Sequence, residues 1–387
     1  MKVWLIHNNV PPYRVPLFTR IAESKAFDFS VVLTAPRCQS RPHWHMSPGE
    51  MPFPVLMMRG WNIRLSDARS LSISLGLFPA LVRNRPDIVI CGGFGFSTLL
   101  VFIYTCLFRK KYIIWSEATL TTERYRGAKG VKRWLRRVVS AHASAFIDAG
   151  TLAREYLQSL LPAKSRTPFF RAYNCVDESM FSSPDNHDPG EPSSLRRILF
   201  VGRLNENKGI PMLLDVYQDL LENCKDPVGL VLVGDGPLRD AVEEFRREHG
   251  CAHLEMPGQV PYHEVAVYYR SCSIFVLLSL SDCNPLVILE ALHGGIPIVC
   301  TNRAGNAPDF IHPGENGYIV DPTDKEDIVR CVREVLGWNA QKRQNASRIS
   351  QRLVGVANYS ASAQAFADAC LFVQRDAPSH IASPGVR

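Results

Sequence analysis

Short apolar runs alternate with amphipathic stretches along the whole chain of 387 residues. Runs of four or five apolar residues predict buried strands, and apolar residues at every third or fourth position predict helices. Regular alternation of the two favours a parallel sheet with helices on both faces, so we expect an α/β fold. The helices include one predicted at residues 71–83. Predicted strands cover residues 3–7, 29–33, 88–91, 112–115 and 145–148, and then 198–201, 229–233, 253–256, 274–277, 296–299 and 318–320.

The chain is longer than one compact domain usually is, and its predicted strands fall into two groups. Between the groups lies a polar stretch, residues 182–194, which is rich in Pro and Ser and has no apolar periodicity. We therefore expect two doubly wound domains facing a cleft, over residues 1–175 and 196–360, with a linker at 176–195 and a disordered tail at 377–387. Ligands of such sheets bind outside the carboxyl ends of the strands.

Positive charge is concentrated in the first half of the chain. Residues 1–180 carry 25 Lys and Arg against 11 Asp and Glu, whereas residues 181–387 carry 19 against 26. This asymmetry predicts that the first half meets an anionic partner. Nucleic acid is not favoured, because no helix-turn-helix, zinc-finger or RNP pattern accompanies the charge. The densest cluster holds seven basic residues, Arg124, Arg126, Lys129, Lys132, Arg133, Arg136 and Arg137.

Apolar residues interleave with this basic cluster at helical spacing, among them Val131, Trp134 and Val138. A basic amphipathic helix that carries a Trp can lie on an anionic membrane surface. One alternative is a core helix with a solvated basic face, and another is a site for the phosphates of a substrate. The sequence leaves all three open.

Cysteine usage and the apolar segments predict a cytoplasmic protein. The 11 Cys are scattered without a C-x-x-C pair, which favours a reducing cytosol over a disulfide framework. The amino terminus runs directly into a predicted strand and lacks the features of a signal peptide. The most apolar stretch, residues 91–108, contains a strand end and three glycines, so we expect a buried helix there rather than a membrane span.

One predicted strand of the second half is followed at once by cationic side chains. Gly202 ends the strand, Arg203 comes next and Lys208 follows five residues later. Gly209 and Pro211 then open a helix, because Pro suits the first turn. Two cations near a helix N-terminus are well placed to bind a diphosphate. The alternative is a solvated loop that happens to carry Arg and Lys.

A second loop and helix carry two carboxylates. Asp282 lies on the loop, where it could meet the hydroxyls of a sugar. Asn284 can cap the helix and Pro285 can fill its first position, so that backbone N–H groups from Leu286 onward would face an anion. Glu290 lies among apolar neighbours, where a carboxylate needs hydrogen-bond donors such as ribose hydroxyls. The alternative is a capped core helix with an exposed Glu.

The order of these residues resembles the retaining glycosyltransferases of family 4, the glycosyl transferases group 1, which have the two-domain GT-B fold. The resemblance is strong over about residues 196–337 and extends to a junction segment at residues 174–181. A weaker match covers residues 10–18. The segments that carry the resemblance are Arg203 with Lys208 and Gly209, residues 233–238, Asp282 with Glu290 and Ala291, Gly305 with Asp309, and residues 314–317.

The resemblance implies a role for each residue on the donor side. Arg203 and Lys208 bind the diphosphate of the donor, and Glu290 binds the ribose. The first carboxylate of the family's pair is normally Glu and contacts the transferred sugar. Here it is Asp282, which is shorter by one methylene, so the identity of the sugar stays open. The predicted donor site also includes Gly202, Asn284, Pro285 and Leu286, with Gln259 and Val260 at the edge that binds the base.

The acceptor side is less defined by the resemblance. Family members often carry a His or an acidic residue at the end of the fourth strand of the first domain, and this chain has Glu117 there. Glu117 could orient the acceptor hydroxyl or stabilise positive charge at the sugar, and the alternative is a surface Glu. His7, at the end of the first strand, is a rival that can equally be structural. The family also returns its C-terminal helix, here residues 361–373, to the first domain.

The resemblance implies transfer of a sugar, with retention, from a nucleotide diphosphate donor. The expected acceptor is a saccharide or lipid-linked molecule of polysaccharide or glycoconjugate biosynthesis. No Asp-x-Asp or His/Cys metal pattern occurs, so we expect a metal-independent enzyme without a cofactor. Two other functions stay open, a nucleotide-sugar epimerase of the same fold and a catalytically silent nucleotide-sugar binding protein. The residues predicted to be catalytic are Arg203, Lys208, Asp282 and Glu117.

Overall fold

Two parallel sheets organise the computed structural model, one in each half of the chain. The structure describes residues 1–34, 48–66, 69–125, 127, 130–181 and 195–375, with side chains omitted at 48 and 61–72. The predictions for the linker over residues 182–194, for the tail at 377–387, and for Arg126 and Lys129 of the basic cluster lie outside the described residues.

The first sheet has the strand order β3-β2-β1-β6-β7-β8-β9, with all neighbours parallel. Its strands bury Val, Ile, Leu and aromatic side chains on both faces, as a parallel sheet covered by helices requires. The strands are β1 (Lys2–His7), β2 (Asp28–Leu33), β3 (Val55–Met57), β6 (Ile88–Gly92), β7 (Lys111–Ser116), β8 (Ala145–Asp148) and β9 (Phe169–Arg171). The helices are α1 (Val15–Glu23), α2 (Leu77–Asn84), α3 (Phe96–Phe108), α4 (Leu120–Tyr125), α5 (Val131–Ala141) and α6 (Thr151–Gln158).

The helix predicted at residues 71–83 is wrong over its first six residues. An antiparallel hairpin of β4 (Trp61–Ser66) and β5 (Arg69–Ile73) occupies that part of the chain, and α2 starts only at Leu77. Residues 70–74 alternate strictly between Ser and an apolar residue. That period of two is the period of a strand, and it outweighs the helical spacing of the residues that follow.

The second sheet has the order β12-β11-β10-β13-β14-β15, again with all neighbours parallel. The order reverses between β10 and β13, and ligands of such sheets bind at that point, beyond the carboxyl ends of the strands. The strands are β10 (Arg196–Val201), β11 (Val228–Val233), β12 (Leu254–Gly258), β13 (Ile274–Leu277), β14 (Ile298–Thr301) and β15 (Gly317–Val320). The helices are α7 (Ile210–Asn223), α8 (Arg239–Glu248), α9 (Tyr262–Ser271), α10 (Leu286–His293), α11 (Ala307–Phe310), α12 (Lys325–Leu336) and α13 (Ala340–Val354).

The last described helix, α14 (Tyr359–Arg375), packs against the first domain. Its buried Phe366 meets Trp115 of β7 edge-on, with ring centroids 5.1 Å apart. Cys370 and Val373 belong to the same apolar core as the strands of the first sheet. The last described helix therefore returns to the domain in which the chain begins.

The apolar stretch at residues 91–108 divides into the end of β6, a turn and α3. None of the helices in the described ranges is both long and apolar enough to cross a bilayer.

Candidate functional site

The loop after β10 carries the first group of predicted site residues. Gly202 follows the strand, and Asn205 starts a short 3₁₀ turn by accepting a 2.9 Å hydrogen bond from the Lys208 N–H. Gly209 then adopts a left-handed conformation with φ of +76° at the N-cap of α7. A Cβ at this position would lie 2.1 Å from the carbonyl oxygen of Leu278. Only glycine therefore lets this loop pack against the end of β13.

This packing brings Lys208 to the second predicted loop. Its Nζ forms an ion pair with the carboxylate of Asp282, and both side chains are partly buried. Two residues that are 74 positions apart thus meet where β10 and β13 end. Arg203 is on the same loop as Lys208, and it is exposed and without an ion pair in the described part of the chain.

The helix N-terminus predicted at residues 284–286 forms, but Asn284 does not cap it. Pro285 occupies the N-cap position of α10, Leu286 is its first residue, and no side chain caps the helix. Asn284 instead donates a 3.0 Å hydrogen bond from Nδ2 to the carbonyl oxygen of Ala149 in the first domain. Its Oδ1 accepts a 3.2 Å bond from Asn306. The capping prediction is wrong because contacts with distant residues take both ends of this amide.

Glu290 is buried in α10, so the alternative of a core helix with an exposed Glu is wrong. Its carboxylate accepts a 2.8 Å hydrogen bond from the hydroxyl of Tyr269 on α9. Burial raises the pKa of Glu290 to about 7, although the bond from Tyr269 acts in the opposite direction. Because this pKa lies above that of an unfolded chain, the associated stability is complete below about pH 4.5 and is lost as pH rises through about 7.

The residues predicted to border the base lie just before α9, the helix that carries the Tyr269 partner of Glu290. Gln259 is exposed directly after β12, and Val260 packs partly against the core of the second domain. Tyr262 follows at the start of α9, and its side chain is 45% exposed. Tyr262 and Tyr269 escaped the sequence analysis, although their spacing of seven residues places both on one face of a helix.

Glu117, the acceptor-side candidate, is held by an arginine that the sequence analysis missed. Arg14 is buried after β1, and its Nη2 forms an ion pair with the Glu117 carboxylate. Its guanidinium lies 4.3 Å from the centre of the Trp115 ring. Aromatic stacking and the ion pair together fix this planar group, and with it the carboxylate that it faces.

His7 is the other acceptor-side candidate, and its surroundings keep it neutral. Its Nε2 lies 2.5 Å from Nη1 of Arg14, and its Nδ1 lies 2.6 Å from the carbonyl oxygen of Asn9. Burial, followed by the positive charge of Arg14, lowers the pKa of His7 to about 3. The ring therefore donates from Nδ1 and accepts at Nε2, and it has no free lone pair with which to take a proton.

The loops of the two domains touch next to these groups. A Cβ on Gly305 would lie 1.8 Å from the carbonyl oxygen of Cys283 and 3.0 Å from Cγ2 of Thr119. The Gly305 N–H donates a 2.9 Å hydrogen bond to the carbonyl oxygen of Asp282. Since Thr119 follows Glu117 by two residues, the acceptor-side loop meets the loop that carries Asp282.

Asp309 joins the two domains through its carboxylate. It accepts hydrogen bonds from the N–H and hydroxyl of Thr151, at 2.9 and 2.6 Å, at the start of α6. Arg171 and Tyr173, both of the first domain, donate to it at 3.0 and 3.2 Å. Arg171 also pairs with the buried Asp148 at 2.6 Å. A carboxylate at a helix N-terminus with a guanidinium beside it is a favourable, directional contact.

A group of three or more His, Cys, Asp or Glu side chains that could hold a metal ion does not occur in the described ranges.

Comparison with known proteins places these residues in context. Residues 184–352 match a family model described as glycosyl transferases group 1. An uncharacterized glycosyltransferase of Methanocaldococcus jannaschii is 26% identical over 195 residues, which make up 50% of this chain and 51% of that protein. The sulfoquinovosyl transferase SQD2 of Arabidopsis thaliana is 29% identical over 196 residues, or 49% of this chain and 35% of that protein. The matches thus span about half, or less, of these relatives' own length.

A solved structure extends the likeness to the whole fold. HepE of Anabaena, crystallised in complex with UDP, superposes with a TM-score of 0.72 at 17% sequence identity. The superposition covers 96% of this chain and 100% of HepE. Identity at this level establishes the fold alone, which is the GT-B arrangement of two Rossmann-like domains.

Proposed function

We propose that the protein is a retaining glycosyltransferase that uses a nucleotide diphosphate sugar, because residues 184–352 match the model of the glycosyl transferases group 1 and the fold is GT-B. The observation that carries the proposal is the meeting of Lys208 and Asp282 between the ends of β10 and β13. A cation for the diphosphate and a carboxylate for the sugar hydroxyls lie side by side there, at the position where doubly wound sheets bind their ligands.

Charge at the leaving diphosphate is met by protein groups in this proposal. Lys208 and Arg203 approach from the loop after β10, and the uncapped N-terminus of α10 contributes backbone N–H groups at Leu286. Donors arranged in advance around a developing negative charge are the largest contribution that a protein makes to such reactions. These groups replace a divalent cation, so the proposed enzyme is metal-independent and needs no cofactor.

The remaining donor-side residues bind the nucleotide and the sugar. Glu290 accepts hydrogen bonds from the ribose hydroxyls, and Gln259 with Val260 borders the base. Asp282 contacts hydroxyls of the transferred sugar, helped by the Asn284 N–H, which donates to its Oδ1 at 3.3 Å. The complex of HepE with UDP supports a uridine nucleotide as the first candidate to test.

Retention follows from attack on the face of the sugar that the diphosphate leaves. The bond from the anomeric carbon to the phosphate oxygen breaks, the bond to the acceptor oxygen forms, and the acceptor proton passes to the leaving phosphate. Glu117 orients the acceptor hydroxyl or stabilises positive charge at the sugar, because Arg14 holds its carboxylate in one position. His7 does not act as a base, since its Nε2 faces Arg14.

Helix α5 supports a lipid-linked acceptor and attachment to an anionic membrane. Val131 and Trp134, which the core-helix alternative would bury, are 73% and 61% exposed. The buried face consists of Arg136, Val139 and Ser140. A core helix with a merely solvated basic face does not account for two large apolar side chains in solvent, whereas insertion at a membrane surface does. The proposed location is therefore cytoplasmic and peripheral to the membrane, in polysaccharide or glycoconjugate biosynthesis.

A screen of nucleotide sugars by thermal shift, followed by product analysis, tests the proposal. A true donor raises the melting temperature by mass action, and UDP-sugars come first in the screen. The bound donor is then incubated with membrane extract, and the anomeric configuration of the product is read by NMR. A product of inverted configuration contradicts retention, and an altered free nucleotide sugar formed without an acceptor indicates an epimerase. Binding without any turnover indicates a silent binding protein.

A further inference from the structure

A pocket lies in the first domain, between α4, α5 and α6, and none of its lining residues belongs to the proposed donor site. Its volume is about 70 Å³. Three guanidinium groups line it together with one carboxylate, so its formal charge is positive. The lining residues are Leu120, Glu123, Arg124, Arg133, Arg136 and Tyr156.

The floor of the pocket is buried and ordered by side-chain contacts. Arg136 forms an ion pair with Glu123, and these side chains are only 10% and 7% exposed. The same Nη1 of Arg136 donates a 2.5 Å hydrogen bond to the hydroxyl of Tyr156. Its guanidinium also lies 5.2 Å from the centre of the Phe94 ring. These contacts hold Arg136 in one orientation and balance its charge with that of Glu123.

The rim of the pocket carries charge that is not balanced. Arg124 and Arg133 are exposed, and neither has a carboxylate partner in the described part of the chain. Two unpaired cations that converge on one pocket repel each other, and an anion between them removes that repulsion. The planar fork of a guanidinium matches the oxygens of a phosphate through paired hydrogen bonds. The tyrosine hydroxyl on the floor adds a further polar group.

The position of the pocket indicates which phosphate it receives. Helix α4 begins at Leu120, three residues after Glu117, and α6 begins at Thr151 on the domain boundary. The pocket is therefore on the acceptor side of the cleft. The exposed Val131 and Trp134 start the same helix that supplies Arg133. Charge and apolar surface together fit a phosphate that is attached to a lipid.

We infer that this pocket binds the phosphate group of a lipid on the acceptor side of the cleft, an inference that rests on the proposed function. The phosphate has two sources of the same chemistry, the lipid-linked acceptor itself or the headgroup of a membrane phospholipid. In either case the pocket sets the distance between the membrane-bound end of the acceptor and Glu117.

The test compares Arg133→Gln with Arg137→Gln. Both substitutions remove one positive charge from α5, but Arg137 is exposed and does not line the pocket. The first arm measures binding of inorganic pyrophosphate by calorimetry in a background that carries Arg203→Ala and Lys208→Ala, which silences the donor site. We expect Arg133→Gln to weaken this binding by about tenfold or more, the effect of losing a charge-assisted hydrogen bond. Arg137→Gln should leave it unchanged.

The second arm distinguishes the two sources. It measures co-sedimentation with phosphatidylcholine vesicles that contain phosphatidic acid. Pyrophosphate binding that depends on Arg133 assigns the pocket to the phosphates of the acceptor. If pyrophosphate does not bind, and vesicle binding falls far more in Arg133→Gln than in Arg137→Gln, the pocket is assigned to a headgroup.

Equal effects of the two substitutions in both arms overturn the inference, because α5 then acts only through its total charge. UDP-dependent thermal shifts, measured for the same substitutions with Arg203 and Lys208 intact, report the donor site separately. If no nucleotide sugar shifts the melting temperature of the unsubstituted protein, the proposed function is contradicted and the result on the pocket still stands.

Discussion

The carboxylate of Asp309 offers the sharpest test of how the two domains are held together. It is only 4% exposed, and it accepts hydrogen bonds from four donor groups of three residues of the first domain. Replacing Asp309 by Ala removes every one of them. Arg171 keeps a second carboxylate partner in Asp148, at 2.6 Å, so its charge does not become wholly unpaired.

The expected cost follows from these contacts. Removing one partner of a buried ion pair costs about 3–5 kcal/mol, mainly because the other charge is left buried. Since Asp148 still compensates Arg171, the cost of Asp309→Ala should fall at the lower end, at about 3 kcal/mol. Asp309→Asn keeps one acceptor oxygen and should cost roughly half as much.

Urea unfolding measures this cost, with Asp219→Ala as the matched control. Asp219 pairs with Arg333 on the surface of the second domain, and such exposed pairs contribute about 0–1 kcal/mol. A double-mutant cycle with Arg171→Met should give a coupling free energy of about 1.5–3 kcal/mol. If Asp309→Ala is no more harmful than Asp219→Ala, the domains are not joined by this carboxylate.

Four further outcomes are expected. Arg203→Met and Lys208→Met should each raise the barrier to transfer by about 2–4 kcal/mol at saturating nucleotide sugar, because each removes a preorganised hydrogen-bond donor to the leaving phosphates. Lys225→Met, on an exposed loop, is the control and should not change the barrier. EDTA should leave the initial rate of transfer unchanged, and restoration of a lost rate by Mg²⁺ would show that a metal is needed. Glu290→Gln should raise the free energy of unfolding by about 3 kcal/mol at pH 8 and change it little at pH 4, as measured by urea titration without donor. The reason is that the wild-type pKa is near 7, so a buried charge forms only at the higher pH. Trp134→Ser should weaken binding to anionic vesicles at low salt, measured by sedimentation, and equal binding of both proteins to neutral and anionic lipid would contradict membrane docking.

Local sequence patterns located the two loops that carry Lys208 and Asp282 after strands, and the reason that these side chains meet is geometric. The carboxyl ends of neighbouring parallel strands meet at one edge of a sheet, so the residues that follow β10 and β13 approach each other whatever the intervening chain does. Lys208 and Asp282 therefore come together across 74 positions. Gly209 makes the approach possible, because a side chain at this position would clash with the carbonyl oxygen of Leu278.

The same local patterns could not predict contacts between residues that are distant in the sequence. Arg14 meets Glu117 across 103 positions, and Asp309 meets Thr151 across 158. No periodicity or capping rule links such residues, because their pairing depends on how whole domains pack. The error at Asn284 has the same origin, since a local rule predicts a helix cap while the carbonyl of Ala149, in the other domain, takes the amide.

In the proposed enzyme, the ion pair between Lys208 and Asp282 would also affect how the donor binds. The lysine already has a counterion, so a diphosphate displaces one anion with another and gains only the difference between them. A lone inorganic phosphate offers the lysine little more than the carboxylate does, and weak occupancy by such small anions follows. A complete donor would do more, because its phosphates would release the Asp282 carboxylate to accept hydrogen bonds from its sugar. The proposed site would therefore bind the two parts of the donor in order, with the sugar reaching Asp282 only after the diphosphate has paired with Lys208.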